Sequence, residues 1–228
     1  MKKMKLLAIC AIALFSSTSV MAQFSTGADV VSSYVWRGIP QEGTGGTPCI
    51  QPYLSYAVSG FTIGSWASSS FTGNVKEVDL YASYAITPFL AVTLTDYYYN
   101  FGVQPNYFKY DAGETGHVFE GSLAYTGSAF SASINTMFAG ADKKADGDNA
   151  YSTYAEVGYQ ISPIAKVFVG ASLLESATYG NDGFAVTNIG LKVSKTIQIT
   201  DKFGLPVYGI AGANPESGNV FFVAGLTL

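Results

Sequence analysis

Beyond the first two dozen residues, apolar and polar side chains alternate in short segments separated by turns. In the clearest one, Val78, Leu80, Ala82, Tyr84 and Ile86 interleave with Glu77, Asp79, Tyr81, Ser83 and Thr87. A period of two describes a strand with two chemically different faces. The pattern predicts strands over residues 28–37, 49–58, 61–71, 76–86, 89–99, 115–125, 130–139, 151–161, 165–174, 185–194, 206–213 and 220–228. Ser59-Gly60, Thr87-Pro88, Gly127-Ser128 and Ser162-Pro163 are short turns. They alternate with long connections at residues 38–48, 102–114, 140–149 and 177–183. Short turns at one end and long loops at the other are the layout of an outer-membrane barrel. The expected fold is therefore all-β, a transmembrane up-and-down antiparallel β-barrel of about twelve strands. Residues 195–205 fit least well, being long where a short turn belongs. Ile197 and Ile199 extend the tenth strand in one reading, with residues 201–204 as its turn, and ten or fourteen strands stay open as alternatives.

The N-terminus changes the compartment. Lys2, Lys3 and Lys5 precede an apolar stretch from Leu6 to Phe15, and Val20-Met21-Ala22 offers small residues for cleavage. Residues 1–22 read as a secretory signal peptide and 23–228 as one barrel domain. The apolar stretch is shorter than the ~20 residues a membrane anchor needs. Cys10 follows Ile9, not the small residue of a lipoprotein signal. Cleavage leaves Cys49 alone, which excludes an internal disulfide. It also removes three of the 12 basic residues, so nine face 16 acidic ones. That balance argues against nucleic acid as a partner.

Charged residues make up 12% of the chain, against about 25% in soluble domains. Aromatics reach 14%, almost all Tyr and Phe. Tyr34, Trp36, residues 97–99, Phe138, Tyr151 and Tyr159 gather near strand ends, as interfacial girdles would. The last strand places Phe222, Leu226 and Leu228 on one face, in keeping with a C-terminal signal for the outer-membrane assembly machinery. The alternative is a secreted β-sandwich or lipocalin-like barrel, because alternation does not say which face meets solvent.

Four motifs in order carry a resemblance. They are Asp29–Gln41 (DVVSSYVWRGIPQ), Pro48-Cys49-Ile50-Gln51, Gly60–Ser69 (GFTIGSWASS) and Glu77–Tyr84 (EVDLYASY). Over residues 28–86 the chain resembles the TorF-type porin family of outer-membrane proteins. The chain departs from that pattern at Pro40 (Ser or Thr expected), Cys49 (Ala) and Ser83 (Gly), and residues 97–99 lack a Tyr-Pro step. The resemblance implies an outer-membrane barrel and a channel, and it brings no catalytic residues.

Strand parity nominates lumen-lining side chains. Glu77, Asp79 and Tyr81 share one face of their strand, opposite a wholly apolar one. Arg37 falls on the face of Asp29 and Ser33. Tyr154, Glu156, Lys166, Glu120 and Lys192 read as lumenal by the same rule. Facing charges across water would select small polar solutes. Paired charges would instead fill and stiffen a narrow barrel. The membrane partners are lipid and lipopolysaccharide.

Enzymatic chemistry is not expected. The only histidine, His117, has Phe119 where a same-face nucleophile would stand, and Glu120 lies on the opposite face. Residues 142–149 lack the ligand spacing of a calcium loop, and no cofactor motif appears. Lysine at both Glu77 and Asp79 separates the two lumen readings. An open pore is expected to change ion preference in planar bilayers, and a paired, filled lumen to lose stability on chemical unfolding.

Overall fold

The computed structural model describes residues 23–43, 45–99, 106–111 and 114–228. The signal-peptide expectation falls on residues 1–22, outside the described residues. Among the described residues fourteen strands form: β1 Gln23–Val31, β2 Val35–Trp36, β3 Ile39–Pro40, β4 Cys49–Val58, β5 Phe61–Ser70, β6 Lys76–Thr87 and β7 Leu90–Tyr99. They continue as β8 His117–Thr126, β9 Phe130–Gly140, β10 Thr153–Ser162, β11 Ala165–Ser172, β12 Ala185–Gln198, β13 Gly204–Asn214 and β14 Asn219–Thr227. Twelve of them close into one antiparallel barrel, each strand beside its neighbours in sequence, with β1 sealing against β14. β2 and β3 pair only with each other. Closure leaves no free sheet edge in the wall.

Alternation decides what each face shows. Outward, Leu54, Ile63, Leu80, Leu94, Leu123 and Phe222 are all exposed, Leu94 at 60% and Phe222 at 75%. Large apolar side chains stand exposed on every wall strand except β13, where Gly209 and Ala211 face outward. Inward, Gln51, Thr62, Ser68, Glu77, Asp79 and Glu120 are buried. The barrel is thus apolar outside and polar inside, the reverse of a soluble domain.

Glycines make room for inward tyrosines. In register, Gly27 faces Tyr53, Gly64 faces Tyr81 and Gly225 faces Tyr208. A Cβ on Gly64 would lie 2.4 Å from the Tyr81 hydroxyl. Each ring therefore lies across a bare backbone, covering a glycine that would otherwise pack nothing. Ser59-Gly60 closes the β4–β5 hairpin with both φ values positive, 49° and 81°, as a two-residue turn requires.

One of the readings is borne out and one expectation changes. The β12–β13 pair runs to Gln198 and Gly204, so the long stretch near residue 200 is strand plus a short turn. The first wall strand covers residues 23–31, not 28–37. After Val31 the chain leaves the wall, with the Ser32 amide still bound to the Ala224 carbonyl at 2.8 Å. It then turns into the lumen as the β2–β3 hairpin. Arg37 is consequently not a wall residue, and Tyr34 and Trp36 belong to no interfacial girdle; both are buried inside.

Gly64→Ala is expected to push Tyr81 off its seat. The cost should be about 1–3 kcal/mol, typical of overpacking, read as a lower urea midpoint by tryptophan fluorescence.

Candidate functional site

The inner hairpin is made by its turn. Arg37 and Gly38 have φ of 50° and 83°, the left-handed pair of a tight two-residue turn. Gly38 also has no room for a side chain, since a Cβ would lie 1.9 Å from the Thr187 carbonyl oxygen. The turn projects the Arg37 guanidinium into the lumen centre. There Nη1 and Nη2 donate to Glu120 Oε2 and Oε1 at 2.6 and 2.8 Å. Nη1 also donates to the Tyr179 hydroxyl oxygen at 2.6 Å. The Arg37 side chain is 5% exposed and that of Glu120 0%. A bidentate fork of this kind is the strongest geometry available to the pair.

Glu120 is further satisfied by the Tyr97 hydroxyl at 3.0 Å and Ser122 Oγ at 3.2 Å, both donating to Oε1. Aromatic rings sandwich the cation. Its Cζ lies 4.4 Å from the Trp36 ring centroid and 4.9 Å from that of Tyr154. Trp36 stacks on Tyr179 at 5.6 Å and 8°. Tyr179 comes from the β11–β12 connection and is held by a loop clasp. Its amide donates to Ser176 Oγ, which lies 2.6 Å from Ser152 Oγ. Ser152 Oγ and Thr178 Oγ1 both donate to Asp142 Oδ1, at 2.6 and 3.0 Å. Asp142 thus fastens two loops together. Among the described residues no group of three or more His, Cys, Asp or Glu is placed to hold a metal ion.

The remaining nominated residues do face the lumen. Tyr154 donates to Glu156 Oε2 at 2.6 Å, and Asn188 Nδ2 donates to both. Lys192 Nζ sits 4.4 Å from the Tyr208 ring centroid, and Lys166 passes over Gly158. Tyr81 lies across Gly64. Glu77 and Asp79 are buried, but neither forms an ion pair with a described base. The expectation of acidic and basic residues pairing across the lumen holds at Arg37–Glu120 and not at Glu77 and Asp79.

Sequence reasoning missed Tyr97 and Tyr179 as lumenal partners. It also missed the inner hairpin, for which the cue was Arg37-Gly38 between the short apolar pairs Val35-Trp36 and Ile39-Pro40. His117 has a setting of its own. It faces outward from β8 yet is 0% exposed, because residues 106–111 fold back over it. Nδ1 lies 2.7 Å from Asp96 Oδ1, Nε2 lies 2.7 Å from the Tyr107 carbonyl oxygen, and Tyr110 stacks on the ring at 4.1 Å. This is a loop fastening on the outer face, remote from the lumenal groups.

Fold and site together define a closed twelve-strand β-barrel carrying an inner hairpin salt-bridged to its wall. The chain belongs to a family described as bacterial protein of unknown function (Gcw_chp), whose model matches residues 16–172. The match takes in the hairpin and the wall through β11. Comparison with curated proteins gives no match.

Arg37→Ala is expected to strand Glu120 as a buried unpaired charge, at a cost of about 3–5 kcal/mol. Arg37→Met combined with Glu120→Leu is expected to recover most of that loss. Urea unfolding of the native barrel, Arg37→Met, Glu120→Leu and the double variant in detergent measures the coupling.

Proposed function

We propose that this chain is an outer-membrane barrel of porin type. In this reading the first 22 residues are removed on export and the outer-membrane assembly machinery inserts the barrel beside lipid and lipopolysaccharide. Small polar solutes then diffuse through it without chemistry. The division of the two faces carries the reading. The outward apolar surface encircles the barrel, far exceeding the few hundred Å² that soluble monomers expose. A bilayer solvates such a surface, and only a closed barrel satisfies its own backbone there. The resemblance of residues 28–86 to TorF-type porins supports the same assignment.

Selectivity follows from charge placement. The acidic pair of β6 stands half-way round the ring from Lys192 of β12. A solute between them meets a transverse field. Asp29, Glu156 and Lys166 add to the charged lining, while the inner hairpin narrows the long-loop end.

A second reading has its own observation. Trp36, Tyr97, Tyr154 and Tyr179 belong to one buried cluster around Arg37. A barrel plugged there would not conduct, and it would serve as a structural, adhesin-like or ligand-binding protein through its loops.

Planar-bilayer conductance separates the two. The mature protein is expected to give small, stable steps. Replacing Val35–Pro40 by a Gly-Ser linker of equal length is expected to enlarge them several-fold. Silence from the native barrel with large steps from the replaced one would assign the plugged reading. Silence from both, with heat-modifiable folding intact, would overturn the pore.

A further inference from the structure

We infer that Glu77 and Asp79 form a binding site for a primary ammonium group. Glu77 is 1% exposed and Asp79 6%. Glu77 Oε1, Glu77 Oε2 and Asp79 Oδ1 are buried, and none makes a close, well-aligned hydrogen bond among the described residues, although the Tyr34 hydroxyl stands beside Glu77 and the two carboxyls stand beside each other. The contrast with Glu120 is direct. Glu120 is equally buried, yet its oxygens accept from Arg37, Tyr97 and Ser122. An ionised carboxylate in a dry interior is heavily penalised unless something pairs with it.

The lumenal charges do not supply that partner. Facing inward are Asp29, Glu77, Asp79, Glu120 and Glu156, against Arg37, Lys166 and Lys192. Arg37 is taken by Glu120. Lys192 lies in the field of Asp29, Glu156 and Lys166. The negative surplus therefore rests on β6, where a cation from outside the chain would complete the site.

The donor set chooses among cations. Three free acceptor oxygens match the three N–H donors of a primary ammonium, whereas a quaternary ammonium has none to give. Aromatic rings surround the place. Asp79 is flanked in register by Trp66 and Tyr97, and Glu77 by Ser68 and Tyr99. Tyr34, just before β2, tilts onto Trp66 at 5.4 Å between ring centroids. Aromatic rings favour a desolvated cation through their π faces. A calcium ion needs six to eight oxygens at about 2.3–2.6 Å, and two carboxylates fall short. The near-complete burial restricts the ligand to a small, narrow head group. The site does not require that the ligand cross the barrel.

The test uses the refolded mature protein in detergent, so it reads binding independently of conduction. Ligand-detected NMR titrations with methylammonium, tetramethylammonium and calcium chlorides at matched ionic strength give the affinities. Methylammonium is expected to bind the native barrel. Affinity should fall about tenfold or more in Glu77→Gln and in Asp79→Asn, the loss of a charge-assisted hydrogen bond, and vanish in the double variant. Tetramethylammonium should bind the native barrel at least about tenfold more weakly than methylammonium, for want of N–H donors. Because these variants remove unpaired charge, they should fold, with heat-modifiable migration retained and thermal stability raised. Four results would overturn the site: no methylammonium binding by the native barrel, equal binding of tetramethylammonium, tighter binding of calcium, or undiminished binding by the double variant. A protonated-carboxyl infrared band at neutral pH that disappears in the double variant, without methylammonium uptake, would show a proton held there instead.

Discussion

The interior of this barrel is organised around one ion pair. Arg37 reaches Glu120 with both guanidinium nitrogens, at 2.6 and 2.8 Å, in a place almost closed to water. Removing two charges from water is costly, and the cost is offset only when each remaining donor and acceptor finds a partner. Much of the long-loop end can be understood as meeting that condition. Tyr97, Ser122 and Tyr179 supply hydrogen bonds, Trp36 and Tyr154 cover the cation's faces, and the Asp142–Ser152–Ser176 clasp holds Tyr179 where it is needed. The hairpin stays in the lumen because its turn residue is the centre of this network.

The wall follows a different constraint. An apolar exterior leaves polar groups only the inside to occupy, and a ring of twelve strands has limited space there. The glycine–tyrosine pairs show how space is found: a large ring is laid flat against a neighbour that has no side chain. Gly27 with Tyr53, Gly64 with Tyr81 and Gly225 with Tyr208 repeat the arrangement on three separate strand pairs.

Much of this was legible in the chain. The period of two is local, so strand identity and face came through for Glu77, Asp79, Tyr81, Glu120, Tyr154, Glu156, Lys166 and Lys192. What was not legible depends on contacts distant in sequence. Residues 32–37 keep Ser33 and Arg37 on one face and Tyr34 and Trp36 on the other after the chain has left the wall, so the pattern read as continued strand. Arg37 meets Glu120 across 83 positions and Tyr179 across 142, and no local rule brings them together. Tyr34 and Trp36 suit an interface and a lumen equally well by chemistry, and only the fold distinguishes the two. His117 was on the outer face by parity, but the loop that buries it comes from residues already passed.

The inner hairpin remains joined at both ends to the wall, through Val31 of β1 and Cys49 of β4. Its return to Glu120 is therefore intramolecular, and the guanidinium acts as a competitor that dilution cannot remove. Tethered groups of this kind present themselves at an effective concentration in the millimolar range. A free solute with a guanidinium head would have to exceed that level to hold Glu120 in place of Arg37. Occupancy of this acid by outside cations is thus set by a threshold built into the chain's own connectivity.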